Sequence, residues 1–202
     1  MLVSVAGYSR QADAYEAAHR SKMHEPVGKF AQALPVPSRV LDAGCGPGRD
    51  LARFVAYGHT AYGVDLNPDF VAKARAQAPT WLADLRHLDT LFPPGQFDGI
   101  WACASLVHLD RKETSHVLRQ FALLLRPAGK LYACVNTVGT TGWLDEPDAA
   151  RWYQIWEHDS FASAVAQAGF VLDQVDRGPF VEVWATRATR ASGRPGGPLS
   201  ER

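Results

Sequence analysis

Eleven residues, "VLDAGCGPGRD" from Val40 to Asp50, constrain this chain more than any other stretch. The run begins as a buried strand and ends as the opening of a helix. Between the two it places Gly44, Gly46 and Gly48 at every second position, just behind the acid Asp42. Residues without a Cβ adopt positive φ readily and let a ligand approach the backbone closely, while the helix that follows presents its positive end. In an open parallel sheet, the first strand-to-helix turn lines the crevice beyond the carboxyl ends of the strands, where ligands bind. The spacing narrows the ligand. The dinucleotide fingerprint G-x-G-x-x-G needs its third glycine where this chain has Arg49, and no G-K-[ST] follows to make a phosphate loop.

The rest of the chain repeats the strand-and-helix plan. Leu51, Phe54 and Val55 have helical spacing up to Gly58, a left-handed helix stop. "TAYGVD" reads as a second strand; Asn67 then caps, Pro68 takes the first helical position, and a helix runs to Ala78 before Pro79. "TWLAD" is a third strand and "FDGIWAC" a fourth. Asp110 and Glu113 stand in capping-box spacing ahead of an amphipathic helix with Val117, Leu118, Phe121, Leu124 and Leu125 on one face. Gly129 is expected to end that connection before "KLYACVN", strand five. Ser160 is expected to cap a helix ending at Gly169. "FVLDQVD" and "FVEVWATR" are then separated only by "RGP", too short for a crossover, so they should pair as a hairpin.

The pattern predicts an α/β fold, a Rossmann-like three-layer sandwich around a seven-stranded, mostly parallel sheet with an antiparallel C-terminal hairpin. Three regions are expected: a helical cap over 1–37, interrupted at Pro26 and closed by Pro35 and Pro37, a core over 38–187, and a disordered tail over 188–202.

Composition excludes more than it assigns. Lys+Arg 21 balance Asp+Glu 21, so the chain as a whole lacks the positive field that draws proteins onto phosphate backbones. The N-terminus has no basic stretch ahead of a long apolar run, and no later run is long enough to span a bilayer, which points to a soluble, cytoplasmic protein. Cys45, Cys103 and Cys134 are odd in number and show no C-x-x-C spacing, so they read as reduced core residues rather than as a disulfide or metal site.

Taken together, "VLDAGCGPG", "GVDLNPDFVAKAR", "WLADLRHLD", "FDGIWACASLVHL" and "LLLRPAGKLY" resemble, in order and spacing, the class I S-adenosylmethionine-dependent methyltransferases, from about residue 39 to residue 187. The resemblance implies S-adenosyl-L-methionine as cofactor. It places Asp42, Gly44, Cys45, Gly46 and Gly48 in the turn under the methionine part, with Asp42 near the amino group. Asp65, ending strand two, corresponds to the acid that accepts from both ribose hydroxyls, for which a carboxylate has enough acceptor sites. Leu66 would pack on the adenine, Asp84 accept from its exocyclic amine and the Leu85 amide serve a ring nitrogen. Cys103, Ala104 and Ser105 would border the methyl end. Tyr8, Tyr15 and Arg20 resemble positions with which related enzymes close over the cofactor, the cation pairing with its carboxylate.

Methyl transfer from a sulfonium asks the protein mainly to align the acceptor and exclude water, so no nucleophilic side chain is required. His108, after strand four, is the candidate general base if the acceptor carries a proton; His158 is a weaker one. The segment from Thr137 to Asp159 should shape the acceptor site, with Trp143, Trp152, Tyr153 and Trp156 as walls for a planar or apolar small molecule, although at helical spacing at least one of Trp152 and Trp156 should pack on the core. The [DN]-P-P-[YFW] signature of many amino-group methylators is absent after strand four, where the chain has "ACAS", and no metal cluster is apparent. The leading reading is methyl transfer to a small-molecule oxygen, nitrogen or carbon. A base-modifying enzyme acting on RNA, a binding module without transfer activity and a nicotinamide oxidoreductase are the alternatives.

Overall fold

The structure, a computed structural model, describes residues 23–144 and 150–189. Tyr8, Tyr15 and Arg20, together with most of the expected cap and tail, lie outside the described residues. The described chain begins with helix α1 (His24–Gln32), in which Pro26 falls within the first turn, where its missing N–H has no intrahelical partner to lose. Val27, Phe30, Ala31 and Leu34 of this region are buried against Val40, Phe54, Trp101 and Tyr132, which makes α1 part of one layer of the core.

Strand β1 (Arg39–Ala43) leads through the glycine turn into α2 (Arg49–Ala56); β2 (Thr60–Asp65), α3 (Pro68–Ala74) and β3 (Thr80–Leu82) follow. A 3₁₀ segment (Leu85–Thr90) precedes β4 (Phe97–Cys103), which a 3₁₀ turn (Leu106–His108) joins to α4 (Arg111–Leu124). Next come β5 (Leu125–Asn136), a small hairpin of β6 (Gly142–Leu144) and β7 (Arg151–Tyr153), helix α5 (His158–Gln167) and the final pair β8 (Phe170–Arg177) and β9 (Phe180–Arg187).

The main sheet runs β3-β2-β1-β4-β5-β9-β8, with β1 to β5 parallel and β9 antiparallel to both its neighbours. Successive side chains of a strand alternate between faces, and the two apolar layers follow that period. Leu41, Ile100 and Ala102 face α4 and α5, whereas Val40 and Trp101 face α1 and α2. This is the expected three-layer sandwich. Strand order reverses between β1 and β4, so a crevice opens at their carboxyl ends.

Local chemistry accounts for most element ends. The Asn67 side chain accepts from the Asp69 and Phe70 amides with Pro68 next in line, and Asp110 with Glu113 forms a complete capping box. Four expectations need correction. Helix α3 stops at Ala74, and residues 75–78 continue as tight turns. Leu51 and Phe54 are buried, but Val55 is 47% exposed, one position off the inward stripe. At the end of α4 the chain passes directly into β5; the left-handed residue there is Ala128 (φ 61), not Gly129, and the pairing slips where Phe97 faces Leu125 but Gly99 faces Lys130. Helix α5 starts at His158 after Glu157, which leaves Ser160 inside its first turn rather than at its cap.

Candidate functional site

The three glycines of the turn are there for three different reasons. All have positive φ: 82° at Gly44, 53° at Gly46 and 93° at Gly48. A Cβ on Gly44 would lie 2.2 Å from the Cβ of Ser105, so the turn after β4 sits directly on it. A Cβ on Gly48 would lie 2.9 Å from the Cα of Ala74, so that glycine lets α2 begin against α3. At Gly46 nothing stands within 4 Å. The middle of the turn is a bare backbone ledge facing open space.

Asp65 closes the opposite side. Its Oδ2 accepts from the Gly46 amide at 2.8 Å and its Oδ1 from the Asn67 amide at 2.8 Å, which ties the end of β2 to the turn. Burial pushes this carboxyl above the ordinary carboxylate range, and the amides of Asn67, Gly46 and Leu66 hold it back. Leu66, the next residue, is half-buried.

Beneath the turn, Asp42 is only 3% exposed, and its Oδ2 is buried without a hydrogen-bond partner among the described residues. Burial above all, then the field of Asp50, pushes its carboxyl well up, while Arg49 opposes the shift. Ser105 Oγ is likewise buried without a hydrogen-bond partner among the described residues. Buried polar atoms in native structures are nearly always satisfied, so two orphans beside a bare ledge suit a polar ligand there. Two carboxylates there suit a ligand that brings positive charge and hydroxyl donors, and oppose a pyrophosphate.

Asp50, Arg49, Arg53 and Trp101 form a network that local reading misses. Asp50 accepts from Arg49 Nε at 2.7 Å and Nη2 at 2.6 Å, from Arg53 at 3.0 Å and from the Trp101 indole at 3.1 Å. Arg49, legible only as a departure from the dinucleotide pattern, is thus the cation whose field reaches Asp42. The Asp50 to Arg53 spacing within α2 is the one part of the network visible in sequence; the Trp101 contact comes from a strand 51 positions away.

Asp84 does not close β3, which ends at Leu82; it caps the following 3₁₀ segment through the Arg86 amide at 2.9 Å. The Arg86 guanidinium also engages both its oxygens, at 2.6 to 3.1 Å, and reaches Glu113 at 2.6 Å. Burial alone would raise this carboxyl, but the bonds from Arg86 outweigh it and hold Asp84 below the ordinary value. Leu85, half-buried, follows at once, with its carbonyl 3.3 Å from the Gln120 amide nitrogen.

At the other end of the crevice, Cys103 and Cys134 are register partners on β4 and β5, with sulfurs 3.9 Å apart. Ala104 takes a left-handed conformation (φ 53), and its amide reaches the Cys134 carbonyl and sulfur, both at 3.2 Å. Cys45 is buried in the turn with its sulfur 3.5 Å from the Gly46 carbonyl. Burial, then the field of Asp42, pushes that thiol up, so it is an inert packing group.

His108 ends the turn after β4. Its Nδ1 lies 2.7 Å from the Trp152 carbonyl, and its ring centroid 4.9 Å from that of Tyr153. Because a carbonyl only accepts, Nδ1 carries the proton, and in the neutral ring Nε2 holds the lone pair. Burial, assisted by Arg151, moves the imidazole below its ordinary value, against the pull of the Trp152 carbonyl. His158 contacts the Gly178 carbonyl at 3.0 Å, in the turn of the β8–β9 hairpin. Of the expected aromatic walls, Trp156 packs into the core against Phe161 under the Arg111 guanidinium. Trp143 and Trp152 are instead cross-strand partners in β6 and β7, a hairpin that helical spacing concealed.

A parallel sheet with a bare glycine ledge, an unsatisfied acid beneath it and a second acid across it defines an α/β domain for an adenosyl-type cofactor. Comparison with known proteins carries this to a family. Residues 40–129 match the model described as "Methyltransferase domain". An O-methyltransferase of Penicillium expansum is 32% identical over 151 residues, 68% of this chain and 54% of that protein. The 27-O-demethylrifamycin SV methyltransferase of Amycolatopsis mediterranei is 32% identical over 113 residues, 51% of this chain and 41% of its own length. The chain therefore spans about half the length of these curated relatives. Among solved structures, the 1,6-didemethyltoxoflavin-N1-methyltransferase of Burkholderia thailandensis, with its substrate and S-adenosylhomocysteine bound, superposes with a TM-score of 0.76 at 23% identity, over 93% of this chain and 88% of that one. Residues 40–129 thus match a methyltransferase domain, the chain is similar in sequence to methyltransferases, and its fold is that of the S-adenosylmethionine-dependent methyltransferases.

The electrostatics give this cofactor a pH signature. Asp42 and Asp65 stand above the ordinary value of 3.8 without ligand, and a bound cation with hydroxyl donors favours their ionised forms. Cofactor bound between these two acids would therefore release protons, with affinity rising with pH between their bound and free pKa values. Calorimetry with S-adenosylmethionine at mildly acidic pH, in two buffers of different ionisation enthalpy, should show that release; proton uptake would contradict the arrangement.

Proposed function

We propose that this protein transfers a methyl group from S-adenosylmethionine to a small-molecule acceptor at the carboxyl edge of β4 and β5. The observation that carries the reading is the buried, unsatisfied Asp42 carboxylate beneath the open ledge at Gly46, with Asp65 facing it. When bound, the cofactor supplies a methyl group on a positively charged sulfur, already activated for displacement.

The chain's own residues do the rest. Asp42 and Ser105 receive the amino-acid end, and the lone pairs of Asp65 left over from Gly46 and Asn67 accept the ribose hydroxyls. Leu66 and the Leu85 amide attend the adenine, to which Asp84 offers the acceptor capacity that Arg86 leaves. Cys103, Ala104 and Ser105 border the methyl end. Tyr8, Tyr15 and Arg20 remain the proposed closing groups. Alignment of the acceptor and exclusion of water supply the rate; good alignment is worth about 7 to 11 kcal/mol of barrier.

The acceptor side is framed by the turn Leu106–His108 and the β6–β7 hairpin, where Trp143 is 55% exposed and Trp152 and Tyr153 are half-buried. Aromatic surface with one imidazole favours a planar or apolar molecule, and the Penicillium expansum relative named an O-methyltransferase favours oxygen as the receiving atom. The balanced charge counts against nucleic acid. No described helix is long and apolar enough to cross a membrane, and the free cysteines suit a cytoplasmic setting.

The test is release of S-adenosylhomocysteine from S-adenosylmethionine with a panel of phenols, aromatic carboxylic acids and aromatic amines. Turnover above the protein-free rate on one class supports the reading. Tight S-adenosylhomocysteine binding with no turnover on the panel or on total RNA would make the chain a binding module instead.

A further inference from the structure

We infer that His108 is a positioning residue, which fastens the acceptor-side hairpin to the turn after β4. The inference rests on the proposed methyl-transfer function for what the hairpin does, but its geometry stands alone. Strand β7 is joined to this turn at two backbone points. The Trp152 carbonyl accepts from His108 Nδ1 at 2.7 Å, and the Gln154 amide donates to the Val107 carbonyl at 2.8 Å. Residues two apart on an extended chain turn their backbone groups to the same edge, so the turn Leu106–His108 takes the place of a partner strand along the edge of β7 that faces away from β6. In that pairing the imidazole stands where a strand would offer a backbone N–H.

Three further contacts continue the seam. The Tyr153 ring lies against the imidazole, at 4.9 Å between centroids. Beyond it, Thr141 Oγ1 accepts from the Ile155 amide at 3.0 Å and from the Gln154 side chain at 3.2 Å, tying the start of the hairpin to its end. The hairpin that carries Trp143 and Trp152 is thereby held to the same turn that follows Ala104 and Ser105. Acceptor placement and the methyl end of the crevice are mechanically linked through the imidazole together with the Gln154–Val107 backbone bond.

Asparagine separates this role from proton abstraction, because its Nδ2 donates from a point one bond beyond Cγ, as His108 Nδ1 does, yet it has no basic nitrogen. Hydrogen exchange is followed in the full chain for wild type, His108→Ala and His108→Asn, alongside S-adenosylhomocysteine calorimetry. In His108→Ala, peptides covering residues 142–144 and 151–155 should exchange about fivefold to tenfold faster, the scale of one net hydrogen bond; His108→Asn should recover most of that protection. Cofactor affinity should stay within about twofold throughout, in line with a loss no larger than one remote contact. With an acceptor from the panel, alanine should raise the acceptor KM and asparagine restore it. Unchanged exchange in His108→Ala overturns the inference. So does His108→Asn with hairpin protection restored but kcat as low as in alanine, which would make the imidazole a base. Wild type that fails to bind S-adenosylhomocysteine would instead overturn the proposed function, leaving the exchange comparison to judge the seam.

Discussion

Asp65→Ala should weaken S-adenosylhomocysteine binding by more than about 100-fold while the protein stays folded. Two hydrogen bonds from ribose hydroxyls to a charged acceptor are worth about 1.5 to 3 kcal/mol each, and about 1.4 kcal/mol is a factor of ten. The carboxylate also receives the Gly46 and Asn67 amides, so some stability is lost with it. Both amides sit in partly buried bonds at the rim, where water replaces the missing acceptor at about 1 kcal/mol apiece. Asp65→Asn keeps one oxygen acceptor and should fall between the two in affinity. Calorimetry with a parallel thermal melt reads both effects. Wild-type affinity in a folded Asp65→Ala protein would remove Asp65 from the cofactor site.

The second large effect is a contrast between neighbouring glycines. Gly44→Ala places a methyl 2.2 Å from the Cβ of Ser105 at a φ of 82°. Ser105 cannot retreat easily, since it follows Ala104, itself left-handed and bonded to Cys134. Overpacking and a left-handed alanine together cost about 3 kcal/mol or more, so this variant should melt several degrees lower or fail to fold. Gly46→Ala meets nothing within 4 Å and costs only the left-handed conformation, about 1 kcal/mol. Its methyl, however, fills the ledge, and affinity for S-adenosylhomocysteine should drop at least about tenfold, on the scale of one misplaced methyl in a tight site. Opposite rankings of the two variants in stability and in binding are the signature to look for. Equal binding by Gly46→Ala and wild type would show that nothing rests on that ledge.

Much of this was legible in sequence because the chemistry is local. A cap such as Asn67 with Pro68, a capping box at Asp110 and Glu113, and a glycine at the end of a buried strand act within a few residues of themselves, and spacing displays them. The hairpin at Phe170 to Arg187 was legible because a short connection forbids a crossover. What escaped was long-range or ambiguous in period. Trp152 and Trp156 sit four apart, as on a helix, yet one lies in a three-residue strand and the other packs on α5; short aromatic runs do not distinguish the two periods. Ser160 looked like a cap because Glu157, with no capping bond of its own, left no better signal. The Asp50 network depends on an indole from β4, and the latch at His108 on a backbone carbonyl 44 residues away. Neither has a sequence signature. The glycines illustrate both sides: their permissiveness was evident, but only the fold shows that Gly44 and Gly48 yield to neighbouring chain and Gly46 alone to open space.

The most direct measurement is a crystal structure of the wild-type protein soaked with S-adenosylhomocysteine. The ligand should lie across the glycine turn with both ribose hydroxyls within hydrogen-bond distance of Asp65 and its amino group near the orphaned oxygen of Asp42. Density for the ligand elsewhere on the chain, or a ligand in the crevice whose ribose leaves Asp65 bonded only to Gly46 and Asn67, would contradict the account.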